Sequence, residues 1–416
     1  MLHRGLMVFE SSNVFVPTEE HSDRFEAQYE LAIVMPCLNE AETLATCIRK
    51  AKHAFDVNGI AGEVVVADNG STDGSQQIAI ENGAHLVHVP VRGYGAALMA
   101  GIKAANAPFV VMADADDSYD FSHIPRFLDK LNGGADLVMG NRFKGGVKPG
   151  AMPFLHRYLG NPVLSLIGQI LFGAPIKDFH CGMRGFTKDA IERMNLRTTG
   201  MEFASEMVVK GTVLDMKIVE VPTTLSPDGR SRSPHLRTWR DGWRHLRFLL
   251  MYSPRWLFLY PGLLLTIFGG VASAWLLPRE RSIGSIHLDV DTLLYTLACL
   301  LIGFHAVEFS VSAKVFAIAE GLLPEDPEFS RWFRYITLET GMLAGLVFFL
   351  LGLGGTIYAL VLWKHLGFGP LSPRSMLRLT MPSTVALMLS AEIFFSSFFL
   401  SMLGLRRKSA SPIGSH

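Results

Sequence analysis

From residue 31 onward, short uninterrupted apolar runs alternate with longer stretches whose apolar side chains recur at helical spacing. The runs cover 31–35, 63–67, 85–89, 109–113 and 137–140, and the helical stretches between them cover 40–55, 74–82, 96–105 and 123–131. The order is therefore βαβαβαβαβ. Strands that are apolar throughout, rather than alternating, are covered on both faces, which predicts a buried, mostly parallel sheet joined by right-handed crossovers. Ligands of such sheets bind beyond the carboxyl ends of the strands. That is where the polar clusters of this chain fall.

After residue 252 the pattern changes. Residues 256–277 and 341–363 run for 22 and 23 positions without a charge, each enough to cross a hydrocarbon layer of about 30 Å at about 1.5 Å per residue. Two further apolar stretches, 292–313 and 379–405, are interrupted only by His305 and Glu308 in the first and by Glu392 in the second. Four transmembrane helices are expected. Intramembrane ionisable groups are functional by default, but here a structural role, with Glu392 paired to His305 or to another subunit, is favoured over transport. Lys and Arg flanking the spans number thirteen on one side, including seven arginines between Arg230 and Arg255, and five on the other. That bias puts the N-terminal domain and the C-terminus in the cytoplasm, at the inner (cell) membrane. Residues 153–172 are apolar but broken by His156, Arg157, Asn161, Pro162 and Gln169, a pattern expected of a pair of short interfacial helices. In 235–251, Arg237, Arg240, Arg244 and Arg247 run beside Leu236, Trp239, Trp243, Leu246 and Leu250, which suits an anionic leaflet.

Composition adds exclusions. With 49% hydrophobic and 18% charged residues and a mean hydropathy of +0.27, the chain is neither disordered nor a nucleic-acid-binding protein. Formal net charge is zero. Cys37, Cys47, Cys181 and Cys299 have no metal-site spacing and form no disulfide framework, and Cys181 beside His180 lacks a partner cluster. Residues 1–28 contain no apolar core of a cleavable signal peptide. The expected division is an N-terminal extension 1–28, a catalytic domain 29–232 with interfacial helices at 153–173, a basic juxtamembrane helix 233–255, a membrane domain 256–405 and a tail 406–416.

The chemistry centres on Asp114-Ala115-Asp116, directly after the fourth strand. Two carboxylates there suit a hard divalent cation that shares its oxygen ligands with a substrate phosphate; acidic tripeptides of this kind are also common in loops. Pro36-Cys37-Leu38-Asn39-Glu40 follows the first strand and Asp68-Asn69-Gly70-Ser71-Thr72-Asp73-Gly74 the second. Arg92-Gly93-Tyr94-Gly95 precedes a helix, where glycines permit close backbone approach to an anion.

These three strand-end motifs, in this order, resemble the family 2 glycosyltransferases of GT-A fold, over about residues 31–232. The likeness is greatest to the branch of dolichol-phosphate mannosyltransferases and polyprenyl-phosphate glycosyltransferases, which carry transmembrane helices after the catalytic domain. The resemblance implies a Rossmann-like, mixed but mostly parallel sheet followed by interfacial helices and four spans. It implies that Pro36, Asn39, Glu40, Asp68 and Asn69 border the nucleoside of a nucleotide-sugar donor, with Arg92 and Gly93 nearby. Asn39 and Thr72 are equally readable as helix caps. Asp116 would hold Mg²⁺ or Mn²⁺ on the donor diphosphate, with Asp114 approaching the ribose or the same metal. Gly140-Asn141-Arg142-Phe143, Arg157 with Asn161, and Asp178-Phe179-His180-Cys181-Gly182-Met183-Arg184 look like acceptor and diphosphate motifs, as does Gly229-Arg230-Ser231-Arg232. On that likeness Arg142, Arg157, Asn161, Asp178 and Arg230 contact a polyprenyl-phosphate acceptor, and Arg184, Ser231 and Arg232 the donor. Ser118 and Arg232 depart from residues common in the branch, Gln and Lys.

A phosphate acceptor is already largely ionised at neutral pH, with a second pKa of about 6, so no strong base is required. Glu206 is then either an acceptor-orienting or basic group, or a structural helix carboxylate. The arginines offset the repulsion between anionic lipid and donor. The expected activity is inverting transfer of a sugar from a UDP- or GDP-sugar to undecaprenyl or dolichyl phosphate at the cytoplasmic face, among membrane lipids and in a monomer or homo-oligomer. A processive polysaccharide synthase is the alternative, but its usual Q-x-x-R-W motif is absent, and Glu328-Phe329-Ser330-Arg331-Trp332 lies outside the catalytic domain. Transfer to another lipid, and a flippase with a degenerate domain, complete the alternatives. The joint presence of Glu40, Asp68, Asp114 and Asp116 argues against the last.

Overall fold

The computed structural model describes residues 28–231, 238–320, 337–365, 367–370 and 372–409, with isolated positions 323, 327, 329, 331 and 335. Arg232, Arg237, Arg334 and most of the 328–332 segment lie outside the described residues.

Seven strands form one sheet in the order β3-β2-β1-β4-β6-β5-β7. The strands are β1 (Leu31–Cys37), β2 (Gly62–Asp68), β3 (His85–His88), β4 (Phe109–Met112), β5 (Leu137–Asn141), β6 (Arg184–Thr187) and β7 (Ile218–Pro222). The first five coincide with the apolar runs. Pairing is parallel except at β6, which lies antiparallel between β4 and β5. Strand β7 then adds parallel to β5. Along β1, Ile33 and Met35 enter one core layer and Ala32 and Val34 the other, so alternate side chains fill opposite faces and the strand reads as one apolar run. Helices α1 (Leu44–Asn58), α2 (Ser75–Glu81) and α4 (Ile124–Asn132) cover the first face. Helix α3 (Tyr94–Ala104) and α8 (Phe203–Val213) cover the second.

Two amphipathic segments differ in detail from their expectation. Residues 154–172 form one continuous helix in which a π-turn, His156–Gly160, runs into α6 (Asn161–Phe172). Pro162 lacks an amide donor, and the wider turn ahead of it absorbs the missing bond without a break. Gly168 packs against the Phe179 ring and Gln169 donates to the Ile176 carbonyl, at 2.6 Å. The opposite side exposes Leu159, Val163, Leu166 and Ile170. Helix α9 (Thr238–Met251) buries His245, Phe248 and Leu249 against the domain. Its exposed side carries Arg240, Trp243, Arg247 and Met251 at helical spacing, so basic and aromatic side chains share one face instead of lying side by side.

Four described helices are long and apolar enough to cross a membrane: Arg255–Leu276, Val290–Ala319, Leu338–His365 and Arg374–Leu403. They lie within α10 (Tyr260–Leu276) and the turn before it, α11 (Val290–Ala319), α12 (Leu338–His365) and α13 (Pro373–Ser409). Lipid tails give apolar side chains no reason to prefer one another, so small residues that allow close backbone approach decide the packing. Gly262, Gly269 and Gly303 place α10 directly on the α11 backbone, and Ser273 donates to Thr296 at 2.9 Å. Gly345 and Gly352 do the same between α12 and α13, where Ser390 donates to the Gly345 carbonyl at 2.8 Å. A Cβ on Gly303 would collide with Thr266. We expect Gly303→Val to cost about 1–3 kcal/mol, seen as a lower thermal midpoint in detergent; an unchanged midpoint would contradict this helix contact.

Candidate active site

Three strand-end loops meet beyond the carboxyl ends of β1, β2 and β4 and are tied by reciprocal hydrogen bonds. Asn39, at a left-handed φ of 59°, accepts from the Thr72 amide at 2.8 Å, and its own amide donates to Ser71 Oγ. Asn39 is therefore a link between loops and not a helix cap. The Glu40 amide donates to Ser75 Oγ, and Asp73 accepts from the Ala41 amide and from Ser75. Asp68, almost fully buried, accepts from the Gly70 and Ser71 amides and from Gln76 at 2.7 Å. Asn69 donates to the Val89 and Val91 carbonyls and accepts from the Gly93 amide. Pro36 lies on β1 opposite Ala67, and Arg92 is exposed.

Asp114 and Asp116 leave β4 into this junction. Tyr94 donates to Asp114 Oδ1 at 3.0 Å, and Gly182 lies so close that a Cβ there would come within 2.5 Å of Asp114 Oδ2. Burial, reinforced by the charge of Asp116, pushes the Asp114 carboxyl up to about 7. Ser118 donates to Asp116 Oδ1 through both its amide and its hydroxyl, the latter at 2.6 Å. Arg230 lies across the acidic group: Nη2 donates to Asp116 at 2.9 Å and to Asp228 at 3.0 Å, and Nη1 to Glu40 at 3.1 Å. Burial opposes the Arg230 charge, but Asp116 and its neighbours hold the guanidinium pKa above its ordinary value. The strap carrying it is latched by Ser231, whose amide and hydroxyl donate to Glu42 at 2.7 and 2.6 Å. Hard carboxylate oxygens two residues apart, one carboxyl raised by burial and by its neighbour's charge, are a donor set that fits Mg²⁺ or Mn²⁺.

Other residues expected at the site are occupied elsewhere. Asp178 receives the Arg142 amide and, at 2.8 and 2.7 Å, its guanidinium, so these two buried residues bind each other. Arg184 is fully buried and donates to the carbonyls of Cys181, Phe179 and Ala204, which fixes the loop before β6. In this structure its guanidinium is spent on backbone, not presented to a donor. Gly93 and Gly95 approach the Thr199 and Thr198 carbonyls, so in this structure the close approach they permit is to protein backbone. Glu206, fully buried, accepts from the Arg197 and Thr198 amides, from Thr198 Oγ1 at 2.6 Å and from Lys210 at 2.9 Å. That is the structural alternative for this carboxylate. Arg157 lies over the Tyr158 ring at 5.5 Å, and Asn161 donates to Met152 Sδ. Tyr94, Ser118 and Gly182, which shape the acidic centre, were not among the expected contacts; the short spacing from Asp116 to Ser118 is the one local signal that marks such a bond.

A metal-suited carboxylate pair at the end of β4 in a seven-stranded mixed sheet, with four membrane-length helices following, defines a membrane-associated GT-A-type transferase. The chain belongs to glycosyltransferase family 2: residues 32–194 match the family's glycosyl transferase domain and residues 311–404 its C-terminal transmembrane region. It is 37% identical over 379 residues, covering 90% of this chain and 89% of the relative, to the low-salt glycan biosynthesis hexosyltransferase Agl6 of Haloferax volcanii. The dolichyl-phosphate hexose transferase of the same organism is 32% identical over 46% of this chain and 81% of its own length. Among solved structures, glucosyl-3-phosphoglycerate synthase of Mycobacterium tuberculosis aligns with 54% of this chain and 80% of its own, at 22% identity and a TM-score of 0.41.

Burial alone would raise the Glu206 carboxyl, but the bonds from Thr198 and Lys210 outweigh it and hold the pKa below the ordinary value. Its stabilising contribution is therefore complete above the ordinary glutamate range and lost as pH falls through the lowered value. Removing it leaves the buried Lys210 charge without a counter-ion, held only by the Asn195 carbonyl, and we expect Glu206→Ala to cost about 3–5 kcal/mol. The gap in thermal midpoint between wild type and Glu206→Gln should shrink below about pH 4.3. A Glu206→Gln protein as stable as wild type at pH 7 would contradict this role.

Proposed function

We propose that this glycosyltransferase moves a sugar from a nucleotide-sugar donor to a polyprenyl phosphate, with inversion, on the cytoplasmic side of the membrane. The observation that carries the reading is the Asp114–Asp116 pair at the end of β4 with Arg230 laid across it. An anionic donor and an anionic lipid head need such a charge-balanced centre to approach one another. Asp114 and Asp116 would hold a divalent cation, which would supply positive charge to offset that developing on a departing nucleoside diphosphate. Pro36, Glu40, Asp68 and Asn69 border the nucleoside, their loops fixed by the Asn39–Thr72 and Asn69–Gly93 bonds.

The acceptor oxygen is itself the nucleophile. It bonds to the anomeric carbon as the bond to the diphosphate breaks, and the electron pair leaves with the diphosphate. Because a phosphate monoester is already ionised, no protein base is needed, which agrees with the occupied carboxylate of Glu206. The exposed apolar side of α6 and the Arg–Trp face of α9 lie on helices that pack together, and both faces suit the headgroup zone of an anionic leaflet. Arg157 stands at the start of that apolar helix, where a lipid phosphate would enter. A polyprenyl-type acceptor is further supported by the relative named for hexose transfer to dolichyl phosphate.

We expect purified protein with Mg²⁺ or Mn²⁺ to glycosylate undecaprenyl phosphate from one member of a panel of UDP- and GDP-sugars. Asp116→Ala should lower turnover by about 10²–10³-fold while leaving the fold intact. Turnover on diacylglycerol but not on the lipid phosphate, or full activity of the variant, would overturn the proposal.

A further inference from the structure

The membrane helices present a polar group where lipid would otherwise lie. His305 stands fifteen residues from the start of α11, half-way along this 30-residue helix and about 22 Å from its start. Its side chain is 69% exposed. Nδ1 contacts Glu392 of α13 and lies 3.7 Å from Glu308, whose Oε2 is buried without a hydrogen-bond partner. The ring's other nitrogen has no bond among the described residues. Ionisable side chains at this depth normally face protein or a water-filled cavity, because facing hydrocarbon is costly.

The surroundings show what shape would cover it. Between α11 and α13 runs an apolar groove of about 290 Å³ whose lining ends at Leu301 and Met388, one helical turn before His305 and Glu392. A second groove, of about 780 Å³, lies between α12 and α13. Between the two, α13 raises a ridge of Thr384, Met388, Ala391 and Phe395, exposed at helical spacing. A ridge flanked by grooves is the geometry by which one helix layer seats on another.

We propose that this face packs against the same face of a second copy of the chain, about a two-fold axis along the membrane normal. Such an axis brings together residues at equal depth, so the face must carry both a donor and acceptors at one level. It does: the exposed His305 ring and the partly exposed Glu392 carboxylate share that level, with Oε2 of Glu308 buried behind them, whereas an unrelated helix would have to bring its own complement. The copy's ridge fills a groove, and the copy's polar group replaces lipid against His305. The inference goes beyond glycosyl transfer and does not depend on it.

Disulfide cross-linking in native membranes tests it, with Cys299→Ser as background because Cys299 is the one cysteine of the four that is not buried. Ala391→Cys should give a covalent dimer, and Val271→Cys, 67% exposed on α10, should not. By native mass spectrometry from lipid nanodiscs the wild type should be dimeric. His305→Leu should lower the dimerisation constant about tenfold, the scale of one or two interhelical hydrogen bonds in a membrane. His305→Gln, which keeps a donor, should retain most of it. A monomeric wild type, cross-linking through Val271→Cys, undiminished dimerisation of His305→Leu, or a different protein found on this face would each overturn the proposal.

Discussion

Concentrating negative charge at the end of a buried strand is the constraint around which the N-terminal half of this molecule is built. Asp114 and Asp116 leave β4 into a site where Glu40 also arrives, and burial together with the Asp116 charge lifts Asp114 to about 7. Three such groups repel one another unless a cation sits among them. Arg230 supplies that charge here, and its place depends on the strap that Ser231 anchors to Glu42. Thr43 donates to the Ala115 carbonyl between the two aspartates at 2.6 Å, while Tyr94, Ser118 and Gly182 set the carboxylates from the sides. The proposed glycosyl transfer between two anions would call for the same balance of charge, so the features that allow the site to fold would also equip it for that reaction.

The parallel half of the sheet was legible because each strand buries both faces, which leaves an unbroken apolar run in the sequence. Strands β6 and β7 were not. β6 is four residues long and begins with a fully buried arginine, whose cost is met by three carbonyls that no local pattern reveals. β7 contains Glu220, which accepts from the Lys177 and Asp178 amides and pairs with Lys144. Its charge reads as surface although it organises the loop that leads to Arg142 and Asp178. The amphipathic segments were legible as helices with one apolar or basic exposed face, but which of their faces docks on the protein is set by partners such as Phe179 and Ser205.

At the site, the structure brings some of the residues singled out by spacing together and pairs others within the chain. Asp114, Asp116 and Glu40 come together at the strand ends, and Arg230, expected at an acceptor, pairs with Asp116 and Glu40. Arg142, Asp178, Arg184 and Glu206 carry the same charges in the sequence, yet spend them on one another or on backbone. A charged residue at family-like spacing shows only that its charge is needed, and the packing decides whether the partner is a ligand or the chain itself. Gly93 is the same case for backbone: the close approach it permits is real, but its counterpart is the Thr199 carbonyl.

The membrane half rests on small residues, glycine on backbone between α10 and α11 and between α12 and α13, and has its own polar group at the level of His305. The acidic centre remains the feature on which the proposed catalysis turns. Its most direct test is equilibrium binding of Mn²⁺ by electron paramagnetic resonance, with and without UDP or GDP, in wild type and Asp116→Asn. We expect one ion per chain in the wild type, held at least about tenfold more tightly when a nucleoside diphosphate supplies further oxygens, and lost in the variant. Equal binding by both proteins, or binding indifferent to either nucleotide, would contradict a cation and diphosphate site at the end of β4.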